Sequence, residues 1–452
     1  MRQIDQLTAF ETHMAQLNVA RSVGRICAVE AGIMRASGLD EAAHIGDRAE
    51  ISLGDGRLLL GEVVQLTSDG VVLLPDAEMD GVALGDRVIL SPGGQIAPSD
   101  TWIGRVIDPD GRPLDGHPLR SGLLTRPLRA APPPAAERRA MGTRLETGHL
   151  VLDTVLPVVR GQRIGLFAGS GVGKSNLMGR LAQRMDADVV VIAMVGERGR
   201  EVRHFVDTVL GPEGLTRSVV VAATSDQSPL IRRRCAWTAM AVAEHFRDKG
   251  KSVLLVADSI TRFAEAHREV AVAAGEAPVL RGFPPSTAHM IMSLCERAGT
   301  GSENQGDITA VFSVLVAGSD MDEPIADILR GVLDGHVVLD REIAERGRFP
   351  AVDVLRSVSR SLPDAATPEE NELLAQVRRH FSIYAKNQVM ISAGLYMPGS
   401  DADIDAALQV WQGLDDAMAM VHDRGIDHSF DQLRLVLRRS GFAANSTPNR
   451  VA

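Results

Sequence analysis

The chain has 452 residues, a length that predicts two to four domains at roughly 100 to 200 residues each. Hydrophobic residues make up 45% and charged residues 23%, and the net charge of -10 argues against a dedicated nucleic-acid-binding protein, which needs a basic surface. The cysteines Cys27, Cys235 and Cys295 have no metal-ligand spacing, and no apolar run approaches the ~20 residues of a membrane span, so the sequence favours a cytoplasmic protein with free thiols.

The N-terminal segment, residues 1–20, is predicted to form an amphipathic helix. Its apolar side chains recur every three or four positions, at Ile4, Leu7, Phe10, Met14 and Leu17. This stripe either packs on the chain's own domains or docks a partner protein, since a helix ahead of a separate domain is free to project. A lipid contact is disfavoured because the only basic flank is Arg2.

Residues 21–95 are predicted to form a small β-barrel. Short runs rich in β-branched and other apolar residues are separated by Asp-Gly pairs at 55–56 and 69–70, which are typical of hairpin turns. Five or six short strands can protect their edges by closing into a small barrel.

Residues 96–365 are predicted to form an α/β domain that includes an extended, proline-rich linker near 126–140. Beyond the linker, uninterrupted Val/Ile/Leu runs alternate with helical patterns. Such runs indicate strands buried on both faces, as in a parallel sheet covered by helices. Strand signals fade in residues 366–452, which predict a C-terminal helical domain. The predicted fold class is therefore multidomain α/β.

The stretch AGSGVGKSN, residues 168–176, follows an apolar run and precedes an amphipathic helical pattern. Glycines let the backbone turn its N–H groups inward and a helix N-terminus adds partial positive charge, so the stretch predicts a loop that binds nucleotide phosphates. In such a loop Lys174 reaches the β- and γ-phosphates and the Ser175 hydroxyl binds Mg²⁺. Alanine stands at 168, where the common motif has glycine. The candidate cofactor-binding residues here are Ala168, Gly169, Ser170, Gly171, Val172, Gly173, Lys174, Ser175 and Asn176.

Two carboxylates follow other predicted buried strands. Asp258 ends the run LLVAD, where a carboxylate faces the ligand crevice of a parallel sheet and can hold Mg²⁺ through water; the alternative is a helix cap. Glu197 follows VVVIAMVG and is a candidate both for activating the attacking water and for approaching the metal; the alternative is a surface residue beside Arg198.

These stretches together resemble the hexameric rotary-type (F/V-type) ATPases, and within them the type III protein-export ATPases of flagella and injectisomes. The resemblance runs from about residue 22 to 440, and alanine at 168 is typical of the export branch. Its motifs are GQRIGLFAGSGVGKS, GERGREV, GEAPVLRGFPPS, RGRFPAVDVLRSVSR and SAGLYMPGSD. The resemblance implies an N-terminal barrel, a RecA-like phosphate-loop domain, a C-terminal helical domain and a homohexamer that hydrolyses ATP with Mg²⁺.

The resemblance also implies roles for further residues. Arg198 and Arg262 would lie near the γ-phosphate. Phe349 would pack against adenine, unless it is an ordinary core residue, and Tyr396 would help to close the same pocket. Arg360 would be an arginine finger donated across a subunit boundary. Because one chain carries both this finger and the water-activating glutamate, every interface of such a ring could be active.

Several partners are implied by the resemblance alone. A stator-like regulatory protein would dock on the N-terminal helix, a central stalk protein would occupy the ring pore, and export chaperones, substrate proteins and export-gate membrane proteins would meet the ring at the cytoplasmic face of the inner membrane. Loop 298–307 would face the pore and loop 318–327 the stalk, unless both are solvated surface. The triple arginine at 232–234 is predicted to be a solvated helix face or a subunit contact.

Flagellar protein export is the favoured function, and four alternatives remain. An injectisome ATPase shares every motif. A non-hydrolysing, nucleotide-binding ring subunit is disfavoured by the presence of Glu197. An RNA-translocating helicase is disfavoured by the acidic charge and by a barrel region without aromatic stacking residues before Trp102. The catalytic subunit of ATP synthase is disfavoured by the tail SAGLYMPGSDADIDAAL.

Overall fold

The structure is a computed structural model and describes residues 22–30, 32–279, 281–316 and 321–438. The helix predicted for residues 1–20 lies outside these ranges. Among the residues that are described, no helix has the length and apolar character needed to cross a membrane.

Six antiparallel strands close into an N-terminal barrel, because their alternating pattern puts one apolar face inside. The strands are β1 (Val23–Glu30), β2 (Ile33–Ser37), β3 (Arg48–Ser52), β4 (Leu58–Thr67), β5 (Gly70–Pro75) and β6 (Arg87–Ser91). Their order around the barrel is β1-β2-β5-β4-β3-β6. Ile26, Met34, Ile51, Leu73 and Val88 fill the interior.

A nine-stranded sheet forms the central domain. Its strands are β8 (Arg105–Ile107), β10 (Arg163–Ala168), β11 (Val189–Glu197), β12 (Ser218–Thr224), β13 (Ser252–Asp258), β14 (Gly299–Thr300), β15 (Asp307–Leu315), β16 (Gly335–Leu339) and β17 (Val352–Ser359). The order is β17-β16-β10-β15-β13-β11-β12-β8, with β14 paired to β15, and only β14 and β17 run antiparallel to their neighbours. The short strands β7 (Gln95–Ile96) and β9 (Arg126–Pro127) pair with each other beside it.

Helices cover both faces of the sheet, as its uninterrupted apolar strands require. They are α1 (Leu150–Asp153), α2 (Lys174–Arg184), α3 (Gly199–His204), α4 (Gly211–Leu215), α5 (Pro229–Arg247), α6 (Ile260–Ala273), α7 (Ser286–Glu296), α8 (Pro324–Val332) and α9 (Arg341–Glu345), with a π-helical turn at Phe205–Leu210 and short 3-10 turns at Asp100–Trp102 and Ala135–Glu137. Helices α5 to α8 contribute to the core on one face, and α1 and α2 to the core on the other.

Three longer helices follow the sheet: α10 (Pro368–Ser392), α11 (Ala402–Met418) and α12 (Ile426–Arg438). A capping box starts α10, since the Thr367 hydroxyl accepts from the Glu370 backbone and the Glu370 side chain accepts from the Thr367 backbone. The apolar faces of α10, α11 and α12 pack into the same core as α1 and α2. Barrel, mostly parallel α/β sheet and C-terminal helices together confirm the predicted fold class.

The prediction for the triple arginine is wrong. Arg233 and Arg234 are buried beneath the barrel, where both donate to the carboxylate of Glu62 on β4, at 3.0 and 2.9 Å. Arg234 also donates to Asp110 at 2.9 Å. The run looked like a solvated face because its acidic partners are far away in sequence. These buried ion pairs join α5 to the barrel.

The two predicted contact loops differ in how far the structure describes them. In loop 298–307 the two ends are buried and only Glu303 and Asn304 are exposed. Loop 318–327 is described from residue 321 onward, and residues 318–320 lie outside the described ranges.

Candidate functional site

The carboxyl ends of β10, β11 and β13 meet at one edge of the sheet, where the phosphate loop lies. The loop joins the last residue of β10, Ala168, to the first residue of α2, Lys174. Gly171 and Gly173 have φ values of +79° and +87°, which other residues rarely adopt. A Cβ atom on Gly173 would also come within 3.1 Å of the Phe349 ring. The glycines therefore keep room for a group that approaches the backbone closely.

The loop forms one wall of a cavity of about 620 Å³. Seven of the nine predicted loop residues line it. The exceptions are Ala168 and Val172, which are buried in the core under the loop and support it from below. The complete lining is Gly169, Ser170, Gly171, Gly173, Lys174, Ser175, Asn176, Gly196, Glu197, Arg198, Glu201, Ser225, Asp258, Arg262, Leu315 and Phe349.

Asp258 lies at the floor of this cavity and is almost fully buried. Its Oδ1 accepts hydrogen bonds from Lys174 Nζ and from Ser313 Oγ, the latter at 2.6 Å. The alternative role of helix cap is wrong, because the hydroxyl of Ser259 caps α6 by accepting from the Arg262 backbone at 3.2 Å. The Asp258 carboxylate is therefore not the cap of α6, and it faces Lys174 at the start of α2.

Glu197 ends β11 and is half-buried on the cavity wall. Burial raises the pKa of its carboxyl to about 7, and the negative charge of Asp258 and the contact with Glu201 act in the same direction, whereas Lys174 opposes them. A carboxyl group with a pKa near neutrality can exchange a proton under working conditions, as a general base must. The alternative of an ordinary surface glutamate does not fit this position.

Arg198 and Arg262 line the same cavity but pair with local carboxylates. Arg198 Nη1 donates to Glu201 Oε1 at 3.3 Å, and Arg262 Nη1 donates to Glu265 Oε2 at 2.9 Å. Both side chains remain substantially exposed, at 66% and 45%. Two cations therefore line the same cavity as the phosphate loop, and their approach to the γ-phosphate stays a prediction.

The structure separates the three remaining candidates. Phe349 lines the cavity with 49% of its surface exposed, which argues against an ordinary core residue. Tyr396 does not line the cavity, so its prediction is not met within one chain: its hydroxyl donates to Asp401 O and Asp405 Oδ1 at 3.0 and 2.8 Å, in the turn that starts α11. Arg360 follows β17 and donates to Arg330 O at 3.1 Å, away from the phosphate loop.

Five residues at the site were not predicted. Gly196, Glu201, Ser225 and Leu315 line the cavity, and Ser313 donates a hydrogen bond to Asp258. Gly196 directly precedes the predicted Glu197 in the sequence. Glu201 had a signal, because it belongs to the motif GERGREV that contains Glu197. The other three carry no signal in the sequence, since only the order of strands brings β12 and β15 to the cavity.

Comparison with known proteins places each part of the chain. Residues 148–359 match the nucleotide-binding domain of the ATP synthase alpha/beta family, residues 19–91 match its beta-barrel domain, and residues 366–419 match the C-terminal domain of the type III secretion ATPase EscN.

Relatives match over nearly the whole chain. The flagellum-specific ATP synthase of Caulobacter vibrioides is 41% identical over 92% of this chain and 96% of its own length. That of Treponema pallidum is 44% identical over 89% and 90%. The type 3 secretion system ATPase of Xanthomonas euvesicatoria is 39% identical over 92% and 94%. Among solved structures, the assembled ATPase EscN of enteropathogenic E. coli superposes with a TM-score of 0.84 at 36% identity, covering 92% of this chain and all of that one; EscN has also been solved in complex with its central stalk EscO.

Proposed function

The chain belongs to the ATP synthase alpha/beta family, and we propose that it is an Mg²⁺-dependent ATPase that energises export of flagellar proteins through the flagellar type III secretion apparatus. The observation that carries the proposal is the juxtaposition of Glu197, Lys174 and Asp258 on one cavity beside a glycine-rich loop. The resemblance to flagellum-specific ATP synthases supports the flagellar assignment.

The donor set fits a magnesium nucleotide. The Ser175 hydroxyl and the Asp258 carboxylate are hard oxygen ligands of the kind that Mg²⁺ prefers, directly or through water. The cradle left by Gly173 suits a phosphate at the N-terminus of α2, and the Lys174 ammonium can pass from Asp258 to the phosphate oxygens. The exposed ring of Phe349 offers an apolar face to the base. When bound, Mg²⁺ supplies charge neutralisation at the transferred phosphoryl group.

Glu197 is proposed to orient the attacking water and to accept its proton on the carboxylate. Arg198 and Arg262 would leave their local carboxylates to balance charge on the γ-phosphate. An arginine finger is worth about 10³ to 10⁵ in rate. We assign this role to Arg360 of a neighbouring copy, since the residue lies away from its own chain's cavity.

The natural assembly for such a site is a homo-oligomer, and a hexameric ring is the form that the family resemblance implies. The assembled EscN and its complex with a central stalk support a ring with a stalk partner here. The further proposed partners are a stator-like regulator that binds residues 1–20, export chaperones with their substrates, and the export-gate proteins at the inner membrane. The same resemblance makes the cytoplasmic face of that membrane the proposed location.

The test is Mg²⁺-dependent ATP hydrolysis per milligram over a wide range of protein concentration, with the size of the active species measured in parallel. We expect specific activity to rise steeply as subunits associate. Equal specific activity from a proven monomer would overturn the shared site. Absence of activity at every concentration would instead favour a non-hydrolysing ring subunit.

An injectisome ATPase is the second candidate, because the Xanthomonas type 3 secretion system ATPase is 39% identical over a comparable length. Complementation separates the two. Restoration of motility in a flagellar ATPase deletion strain supports the flagellar assignment, and restoration of effector secretion alone supports the other.

A further inference from the structure

Strand β11 carries an extra residue immediately before Glu197. In the pairing with β12, Val195 lies opposite Ala223 and Glu197 lies opposite Thr224, so Gly196 has no partner. Gly196 adopts a φ of +69°, which favours glycine. A bulge of this kind bends the strand and re-aims the side chain that follows. The direction of the Glu197 carboxyl therefore depends on how firmly this bulge is held.

The side chain of Arg232 lies against the bulge. A Cβ atom on Gly196 would be 3.3 Å from Arg232 Cδ. The guanidinium donates from Nε to Gln227 O and from Nη2 to Glu269 Oε1, both at 3.0 Å. The arginine side chain is only 14% exposed and does not line the nucleotide cavity. The Arg232 guanidinium therefore bonds both to the loop after β12 and to helix α6, beside the bulge.

The same loop returns to the backbone of Glu197. The Gln227 side chain accepts from the Thr224 backbone N–H at 2.9 Å, which closes the loop into a tight turn. The Ser225 N–H then donates to Glu197 O at 3.0 Å. Arg232 consequently restrains the catalytic strand end at two points: directly at Gly196 and, through Gln227, at the carbonyl of Glu197.

Helix α6 carries the residues that contact Arg232 and the bulge. It starts directly after Asp258 and Ser259. Arg262 and Glu269 are seven residues apart, so they lie two turns from each other on one face of this helix. Arg262 packs on Gly196 as well, since a Cβ there would lie 3.5 Å from its Cβ. The bulge therefore lies between the side chains of two arginines: Arg262, which is on α6, and Arg232, which pairs with Glu269 of the same helix.

We propose that Arg232 is a positioning residue for ATP hydrolysis, which holds the Gly196 bulge so that the Glu197 carboxyl points at the attacking water. This inference rests on the proposed function. Methionine at 232 would keep the packing of the side-chain stem and lose both guanidinium bonds. Since small misplacements of a reacting group cost up to about 100-fold, Arg232→Met should lower kcat by about 10- to 100-fold while the KM for ATP stays within about threefold. Arg232→Lys should recover part of the loss.

The decisive measurement is a double-mutant cycle in single-turnover hydrolysis. Because Arg232 acts through Glu197, Arg232→Met should cost less than about threefold when added to Glu197→Gln. Arg203→Met is the matched control. The Arg203 side chain is 85% exposed and pairs with Asp207 on the neighbouring helical turn, so this variant should leave kcat unchanged.

Each other outcome overturns the inference. An unchanged kcat for Arg232→Met, a full additional loss in the Glu197→Gln background, or a KM raised more than about tenfold would contradict positioning through the carboxyl; the last would indicate a direct substrate contact. If Arg232→Met fails to fold, Glu269→Gln weakens the same restraint and should lower kcat with the same sign. Full activity of Glu197→Gln would refute the proposed function itself, whereas an inactive Glu197→Gln beside a normal Arg232→Met would refute only this inference.

Discussion

Replacing Glu197 by glutamine should abolish hydrolysis and at the same time stabilise the protein at alkaline pH. The amide keeps the size of the side chain but cannot accept a proton. General-base catalysis contributes about 10² to 10⁴ in rate, so kcat should fall by at least that factor while nucleotide binding is retained. The same pKa predicts that the carboxyl limits kcat/KM of the wild-type protein below about pH 7.

The effect on stability follows from the sign of the pKa change. The folded protein raises the pKa of Glu197 from 4.5 to about 7, so the folded state holds this proton more tightly than the unfolded chain does. The associated stability is fully present below about pH 4.5, is lost as pH rises to about 7, and stays lost above it. At about 1.4 kcal/mol per pKa unit, the largest effect on the free energy of unfolding is about 3.5 kcal/mol, and solvent screening of a half-buried group reduces it to about 1–2 kcal/mol.

Denaturant unfolding at pH 8 and pH 5 measures this directly. We expect Glu197→Gln to raise the free energy of unfolding at pH 8 by about 1–2 kcal/mol and to change it much less at pH 5. Glu345→Gln removes an exposed carboxylate on α9 and is the control, with no expected change in either assay. Hydrolysis within tenfold of wild type, or a variant less stable than wild type at pH 8, would refute the reasoning about this carboxyl.

Three other changes test the rest of the site and the fold. Phe349→Ala should weaken nucleotide binding by about 1–2 kcal/mol, roughly 5- to 30-fold, in equilibrium titration; unchanged affinity would remove the ring from the base site. Arg360→Ala should lower kcat by at least about 10³, and mixing it with Glu197→Gln chains should recover activity because some interfaces then pair an intact base with an intact finger; no recovery would contradict action in trans. Glu62→Ala removes the carboxylate that pairs with the buried Arg233 and one of the two carboxylates that pair with Arg234. It should lower the free energy of unfolding by about 3–5 kcal/mol, measured as a lower thermal midpoint and faster proteolysis between barrel and sheet; wild-type values would show that the cluster is solvated.

Local patterns were sufficient to predict the architecture. The Asp-Gly pairs at 55–56 and 69–70 do form turns, with φ of +85° at Gly56 and +128° at Gly70. One of the helical patterns predicted between the apolar runs forms the helix Pro229–Arg247, and the apolar run before Glu197 is a strand buried on both faces. Each of these signals lies within a few residues of the feature it predicts, which is why sequence alone could supply them.

Features made by distant segments could not be predicted in this way. Arg233 and Arg234 look like surface residues until β4 brings Glu62, about 170 residues earlier in the chain, against them. Tyr396 belongs to the motif SAGLYMPGSD, yet within one chain its hydroxyl bonds to Asp401 and Asp405 at the start of α11. The bulge at Gly196 is visible only in the register between β11 and β12. In all three cases the missing information is a contact across the sequence, which local periodicity does not carry.

The order and direction of the strands also determine whether Glu197 and Arg360 of one chain can reach the same site. Ser359, the last residue of β17, pairs with Gly335, the first residue of β16, because these two strands are antiparallel. Arg360 therefore emerges at the edge where the parallel strands begin, whereas Glu197 ends β11 at the opposite edge. The five residues of β16 alone span about 16 Å at about 3.3 Å per residue, longer than an arginine side chain can bridge. A chain built this way keeps its proposed base and its proposed finger apart, so we expect any contribution of that finger to come from a neighbouring copy and hydrolysis to depend on assembly.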